Sequence, residues 1–238
     1  MTDLLLFLLQ RHYMLPSVGM SIDDFYLTCD ERAKLAEAVH PLLQTRGVPG
    51  THDMVLLQSV LTKLLNHSMP VDIPRFNKAI DDRRPEAEWD RIDSEVKVIL
   101  LEGWCVGAVA QPESALHNPI NDLERKEDAV GQWRGYANEK LAGEYQNVFS
   151  MLDQLIMLKA PGFHTVLQWR LEQEQRLVAA MKADDKTTHI MDEAAVSRFI
   201  QHYQRITEYA LKTLPERADV VFDLDESRVI QRVHKREA

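Results

Sequence analysis

At 238 residues, 45% hydrophobic and 27% charged, the chain has the composition of a folded protein of one large domain or two small ones, and neither disorder nor a fibre fits it. Its longest apolar run, Leu4 to Leu9, is far short of the roughly 20 residues a bilayer crossing needs, and the acidic Met-Thr-Asp start lacks the basic flank of a secretory signal, so the expected location is the cytoplasm. A net charge of -9 repels a phosphate backbone and argues against nucleic acid as a partner, while two cysteines, Cys29 and Cys105, with no CxxC or Cys/His spacing, argue against a disulfide framework or a thiolate metal site.

In chain order, Val18 to Asp23 reads as a buried parallel strand: an aliphatic stretch bounded by turn residues. Thr28 followed by Glu31 is a capping-box signal for a helix from Glu31 to Gln44, with Leu35, Val39, Leu42 and Leu43 on one side. A second helix is predicted over Met54 to Asn66, with Leu57, Val60, Leu61, Leu64 and Leu65 forming its apolar face. Two long loops flank it, Thr45 to Asp53 and Pro70 to Arg84. Further strands are predicted at Val96 to Leu101, Leu155 to Lys159 and Ala218 to Leu224, and further helices at Gly131 to Met151, Phe163 to Met181 and Asp192 to Leu214. The basic tail Arg228 to Arg236 reads as a solvated helix end. This alternation predicts an α/β domain with a doubly wound, mainly parallel sheet, in which ligands bind beyond the carboxyl ends of the strands.

Candidate functional residues cluster at those ends. The first strand runs into Ser21-Ile22-Asp23-Asp24-Phe25-Tyr26 and the second into Glu102-Gly103-Trp104. A carboxylate at such an edge can hold Mg²⁺ or accept a proton from a substrate hydroxyl, although capping a helix or closing a turn is the alternative for each acid taken alone. The first loop places Arg46, His52 and Asp53 around two glycines and a proline, and the second forms a basic cluster, Arg75, Lys78, Arg83 and Arg84, in an acidic chain. Arginine and lysine so placed suit a small carboxylate or phosphate, while a solvated loop with internal Asp-Arg pairs is the competing reading. Arg170, Gln173 and Glu174 share one helix face, and Arg198, His202 and Arg205 another. Such stripes are ordinarily solvent faces; the alternative is an arginine reaching a nucleotide phosphate.

Together, SIDDFYLT (Ser21 to Thr28), VHPLLQTRGVPGTHD (Val39 to Asp53), PRFNKAIDDR (Pro74 to Arg83), LEGWCVGA (Leu101 to Ala108), WRLEQE (Trp169 to Glu174) and HYQRIT (His202 to Thr207) resemble the bacterial and plant D-glycerate 3-kinase family, P-loop small-molecule kinases distantly similar to pantothenate and uridine kinases. The resemblance implies transfer of a phosphoryl group from MgATP to a hydroxyl of D-glycerate. It implies Asp23 as the base or hydroxyl-orienting carboxylate, with Asp24 next in line, and Glu102, with Asp23, as the magnesium acids. Arg75, Lys78, Arg83, His52, Asp24 and Tyr26 become candidates for substrate binding, and Arg170, Gln173 and Arg205 for the ATP phosphates.

Such kinases cradle the phosphates in a loop of the form Gly, four residues, Gly-Lys-Ser/Thr, and no Gly-Lys pair occurs anywhere in the 238 residues. Thr2 to Leu9 reads as the helix that follows such a loop. The expectation is therefore a single P-loop-kinase-like domain over 1–238, with a substrate and lid region around 28–95, in which the central first strand and its loop are not encoded and two strand edges lack a neighbour. A catalytically inactive binding or regulatory protein, or a kinase of another small-molecule hydroxyl, stays open as an alternative.

Overall fold

The computed structural model describes residues 2–180 and 192–236, and within it the chain forms two compact units, Met1–Val106 with Lys140–Ser150, and Gly107–Glu139 with Met151–Ala238.

In the first unit, helix α1 (Thr2–Phe7) leads to strand β1 (Ser17–Ser21), where Gly19 lets the two approach closely: a Cβ there would lie 2.6 Å from a methyl of Leu6, which would have to move. Helix α2 (Cys29–Ala38) starts at the Thr28–Glu31 capping box read from the sequence. It is shorter than predicted. Pro41 disfavours helical geometry in the residue before it, so the chain leaves the helix at Val39 and restarts as a 3₁₀ turn, Pro41–Gln44, carrying Leu42 and Leu43 into the core. Helix α3 (Met54–Leu65) is capped by Asp53 and buries Leu57, Val60, Leu61 and Leu64, the 3–4 spacing that marks its apolar face.

The loop predicted at 70–84 contains short strands: β2 (Val71–Ile73), β3 (Phe76–Asn77) and β4 (Asp82–Arg83), followed by β5 (Asp90–Ile92), with β2 antiparallel to β5 and β3 to β4. These two- and three-residue ladders are too short to leave a period-2 signal in the sequence. Strand β6 (Val98–Glu102) then pairs in parallel with β1, Ser21 standing opposite Glu102. Among the described residues β6 has no strand on its other edge. The π-helical turn Leu141–Tyr145 and the helix Gln146–Phe149 complete this unit, with Leu141, Tyr145 and Val148 in its core.

In the second unit, helix α4 (Asp122–Glu127) precedes a three-stranded sheet. Strand β7 (Ile156–Lys159), helix α5 (Phe163–Ala180), helix α6 (Glu193–Thr213) and strand β8 (Val220–Leu224) follow the predicted order, although the predicted end of α5 at Met181 lies outside the described residues. β7 and β8 are parallel. The tail corrects the expectation of a helix end: it forms β9 (Ile230–Lys235), antiparallel to β8, after a turn in which Asp225 accepts from Ser227 and Val229 N–H. All six β9 residues are exposed, so no burial alternation marked it as a strand. No described helix is long and apolar enough to cross a membrane.

Candidate active site

The acids at the end of β1 are sorted by a capping box. Ser21 accepts from Asp23 N–H at 3.2 Å while Asp24 accepts from Ser21 N–H, which closes a 3₁₀ turn, Ile22–Phe25, with Ile22 and Phe25 fully buried. Asp24 also accepts from Phe76 N–H at 3.3 Å and from Arg75 Nη1 at 2.6 Å, so its carboxylate is committed to holding the turn against the following loop. Asp23 faces other side chains only: Tyr26 Oη donates to its Oδ1 at 2.8 Å and Lys78 Nζ to its Oδ2 at 2.6 Å. Burial pushes the Asp23 carboxyl up, but the hydrogen bond and charge of Lys78, with the Tyr26 hydroxyl, outweigh it and hold the pKa below the ordinary value. Two carboxylates adjacent in sequence thus have different partners: Asp24 is tied to backbone N–H groups and Arg75, Asp23 to the Tyr26 and Lys78 side chains.

The basic residues divide in the same way. Arg75 is clamped between carboxylates, donating through Nε and Nη2 to Asp90 and through Nη1 to Asp24. Lys78 is 61% exposed along its side chain, and Asp23 is its one described partner, which leaves two of its three ammonium N–H groups for a ligand. Arg83 donates through Nη2 to Tyr26 O at 2.8 Å and approaches Asp53 at 3.5 Å. Its Nε is buried without a described acceptor.

The loop 45–53 is built to position His52. Gly47 and Gly50 take positive φ, Thr51 accepts Gly47 N–H and donates to Val48 O, and the backbone joins 25–27 through Leu27 N–H to Thr51 O and Asp53 N–H to Phe25 O. His52 pairs with Tyr26 as an isolated antiparallel bridge, and the two rings stack at 4.5 Å. Its Nδ1 lies 2.6 Å from the hydroxyl of Tyr145, a residue the sequence offered no reason to single out. Burial drives the His52 pKa down to about 4, only partly opposed by the Asp23 charge, so at neutral pH the ring carries no charge. In the unfolded chain His52 takes up a proton below its ordinary value of 6.5, whereas in the fold it does so only near 4. Its contribution to stability is therefore full above pH 6.5 and is lost as pH falls toward 4, by up to ~3 kcal/mol. Melting curves across that range should show this slope, and it should shrink in His52→Asn.

Glu102 ends β6 opposite Ser21, two positions before Asp23; it is exposed and has no side-chain partner among the described residues. Two carboxylates at neighbouring strand ends suit Mg²⁺, which keeps several waters and takes one or two carboxylates beside nucleotide phosphates. No group of three His, Cys, Asp or Glu residues placed to hold a metal occurs among the described residues.

The three residues expected at the ATP phosphates lie in the second unit. Arg170 donates to Gln173 Oε1 at 3.1 Å and stands over the Phe199 ring at 5.4 Å. Arg205 departs from expectation. It is 6% exposed, and all five of its N–H groups are used: Nε and Nη2 on Glu124, Nη1 on Gln111 and Ala115 O, and Nη2 again on Asn118 O. No donor is left for a phosphate, so Arg205 is a structural strut. His202, on the same predicted solvent stripe, is also buried, with Nδ1 3.0 Å from Phe199 O.

No protein-family model matches the chain. Among curated proteins, the uncharacterized kinase mug58 of Schizosaccharomyces pombe is 32% identical over 205 residues, covering 83% of this chain and 71% of that protein. The chloroplastic D-glycerate 3-kinase of Arabidopsis thaliana is 28% identical over 230 residues, 89% of this chain and 46% of that protein. Among solved structures, a D-glycerate 3-kinase from Cryptococcus neoformans var. grubii superposes with a TM-score of 0.80 at 24% identity over 99% of this chain and 85% of that one, a likeness of fold.

Proposed function

The chain belongs to the D-glycerate 3-kinase family of ATP-dependent kinases, with the P-loop kinase fold, and from that premise we propose that its acceptor is a small hydroxy acid, D-glycerate, phosphorylated on a terminal hydroxyl. The observation that carries this reading is the arrangement at the end of β1: Asp23, oriented by Tyr26 and beside Lys78, with Arg83 on the Tyr26 carbonyl, both bases keeping N–H groups for a carboxylate. Asp23 takes the acceptor O–H. Each carboxylate oxygen accepts more than one hydrogen bond, so Oδ2 can serve the substrate hydroxyl and Lys78 together. A carboxylate of lowered pKa is a weak base, which suits orientation of the hydroxyl and late proton transfer in a loose phosphoryl-transfer transition state. Asp24 and Arg75 fix the turn that carries it.

Mg²⁺, when bound with ATP, would neutralise developing phosphate charge, with Glu102 and Asp23 as the protein's ligands. Arg170, with Gln173 orienting it, is the proposed contact to ATP phosphates in the second unit. The proposed setting is the cytoplasm, with neither nucleic acid nor membrane as a partner.

Phosphorus NMR of products from millimolar MgATP and a panel of acceptors tests the reading. D-glycerate should be phosphorylated in preference to glycerol, because only the acid engages Lys78 and Arg83, and Lys78→Ala should raise its KM roughly tenfold with a smaller change in kcat. A neutral acceptor used as well as the acid would overturn it. With no Gly-Lys pair in the 238 residues, MgATP is expected to bind weakly or not at all, and tight ATP binding would contradict that.

A further inference from the structure

Two buried nitrogens of the first unit, His52 Nε2 and Arg83 Nε, have no hydrogen-bond partner among the described residues. Both border Tyr26: the His52 ring stacks on its ring, and Arg83 donates to its carbonyl. Native interiors seldom leave such groups unmatched, and an exception calls for a partner.

Which atom of His52 carries the proton follows from its other nitrogen. The Tyr145 hydroxyl receives Gly50 N–H at 3.0 Å and lies 2.6 Å from His52 Nδ1. Gly50 N is a donor, so the hydroxyl hydrogen, which burial keeps on Tyr145, has Nδ1 as its described acceptor. Nδ1 therefore accepts, and in a neutral ring the proton sits on Nε2. His52 is 3% exposed, and Asp23 lies close enough for its charge to act on the ring.

We propose that His52 Nε2–H is a neutral hydrogen-bond donor to a carboxylate oxygen of the acceptor, that Arg83 supplies the opposing charge beside Tyr26, and that Tyr145 is a positioning residue that fixes the His52 tautomer. The inference rests on the hydroxy-acid reading above and narrows it. Arg75, held by Asp24 and Asp90, drops out of carboxylate binding, and His52 acts by direction instead of charge. Nε2 is closed to solvent in the free protein, so a carboxylate reaches it only by displacing a neighbouring side chain.

Nitrogen-15 NMR of the imidazole, with calorimetry on the same intact protein, tests this. The free protein should show His52 protonated at Nε2, and saturating D-glycerate should move the Nε2–H resonance while Nδ1 stays an acceptor. The amide nitrogen of glutamine stands near Nε2 and that of asparagine near Nδ1, so His52→Asn should weaken D-glycerate binding about tenfold to a hundredfold and His52→Gln should restore most of it. In Tyr145→Phe the tautomer should become mixed, with an affinity loss that tracks the lost Nε2–H fraction. A ring protonated at Nδ1, an Nε2 signal unmoved in protein that binds the acid, or equal losses in the two His52 variants would overturn the inference. If D-glycerate does not bind but another small hydroxy acid does and shifts Nε2–H, the glycerate reading fails and the inference stands; no response to any acid overturns it.

Discussion

Arg205→Ala is expected to lower the stability of the second unit by about 3–5 kcal/mol, the range for breaking a buried ion pair from one side. The Arg205 and Glu124 side chains are 7% and 0% exposed, and the guanidinium donates to both carboxylate oxygens, at 2.7 and 2.6 Å. Its other N–H groups close the backbone at Ala115 and Asn118, so the substitution strands a buried carboxylate and two carbonyls together. Glu124 in turn accepts Ile120 N–H at 3.0 Å, and Asn121 caps α4 while donating to Gln201 O. Arg205→Lys should rescue little, because an ammonium has three donors and no planar fork. Thermal or urea unfolding reads the effect. A loss under about 1 kcal/mol would mean that the site is hydrated and that the arginine is available to a ligand after all.

Asp23→Asn is expected to lower phosphoryl transfer about 10²–10⁴-fold while leaving stability within about 1 kcal/mol. Asparagine fills the same space and still accepts from Tyr26, so the turn held by Ser21 and Asp24 should persist. What is lost is the charge that draws the acceptor proton and holds Lys78. Asp24→Asn should behave in the opposite way, because its carboxylate anchors Arg75 and two backbone N–H groups: it should cost stability first and activity only as a consequence. Melting curves beside initial rates for both variants separate the roles. If Asp24→Asn were the one to abolish turnover in a stable protein, the assignment would be reversed.

The strand ends that carry Asp23 and Glu102 were legible because a short aliphatic run followed by acids is a local signal, and their parallel pairing needs only the alternation of elements around them. The capping residue Thr28 was legible for the same reason: it acts on backbone three residues away, whereas Asp53, grouped with the candidate residues of its loop, caps α3 in the fold. Pro41 was visible too, yet the apolar spacing of Leu35, Val39, Leu42 and Leu43 suggested one continuous helix across it. What sequence could not supply were states set by distant partners. Arg205 and His202 look like a solvent stripe until Glu124, 81 residues earlier, and the packing of α6 put them inside. Sequence names His52 as a candidate but not its state: burial makes the ring neutral, and Tyr145, 93 residues on, lies against its Nδ1. Arg75 and Lys78, three residues apart, cannot be told apart by charge; only the fold shows one clamped by two carboxylates and the other largely exposed.

The most direct test of an acceptor site at Asp23, Lys78 and Arg83 is calorimetric titration of the intact chain with D-glycerate and with glycerol, with no nucleotide present. D-glycerate should bind saturably at one site, glycerol should give no isotherm, and Lys78→Ala should weaken the acid about tenfold. Equal binding of acid and alcohol, or D-glycerate binding indifferent to Lys78, would contradict it.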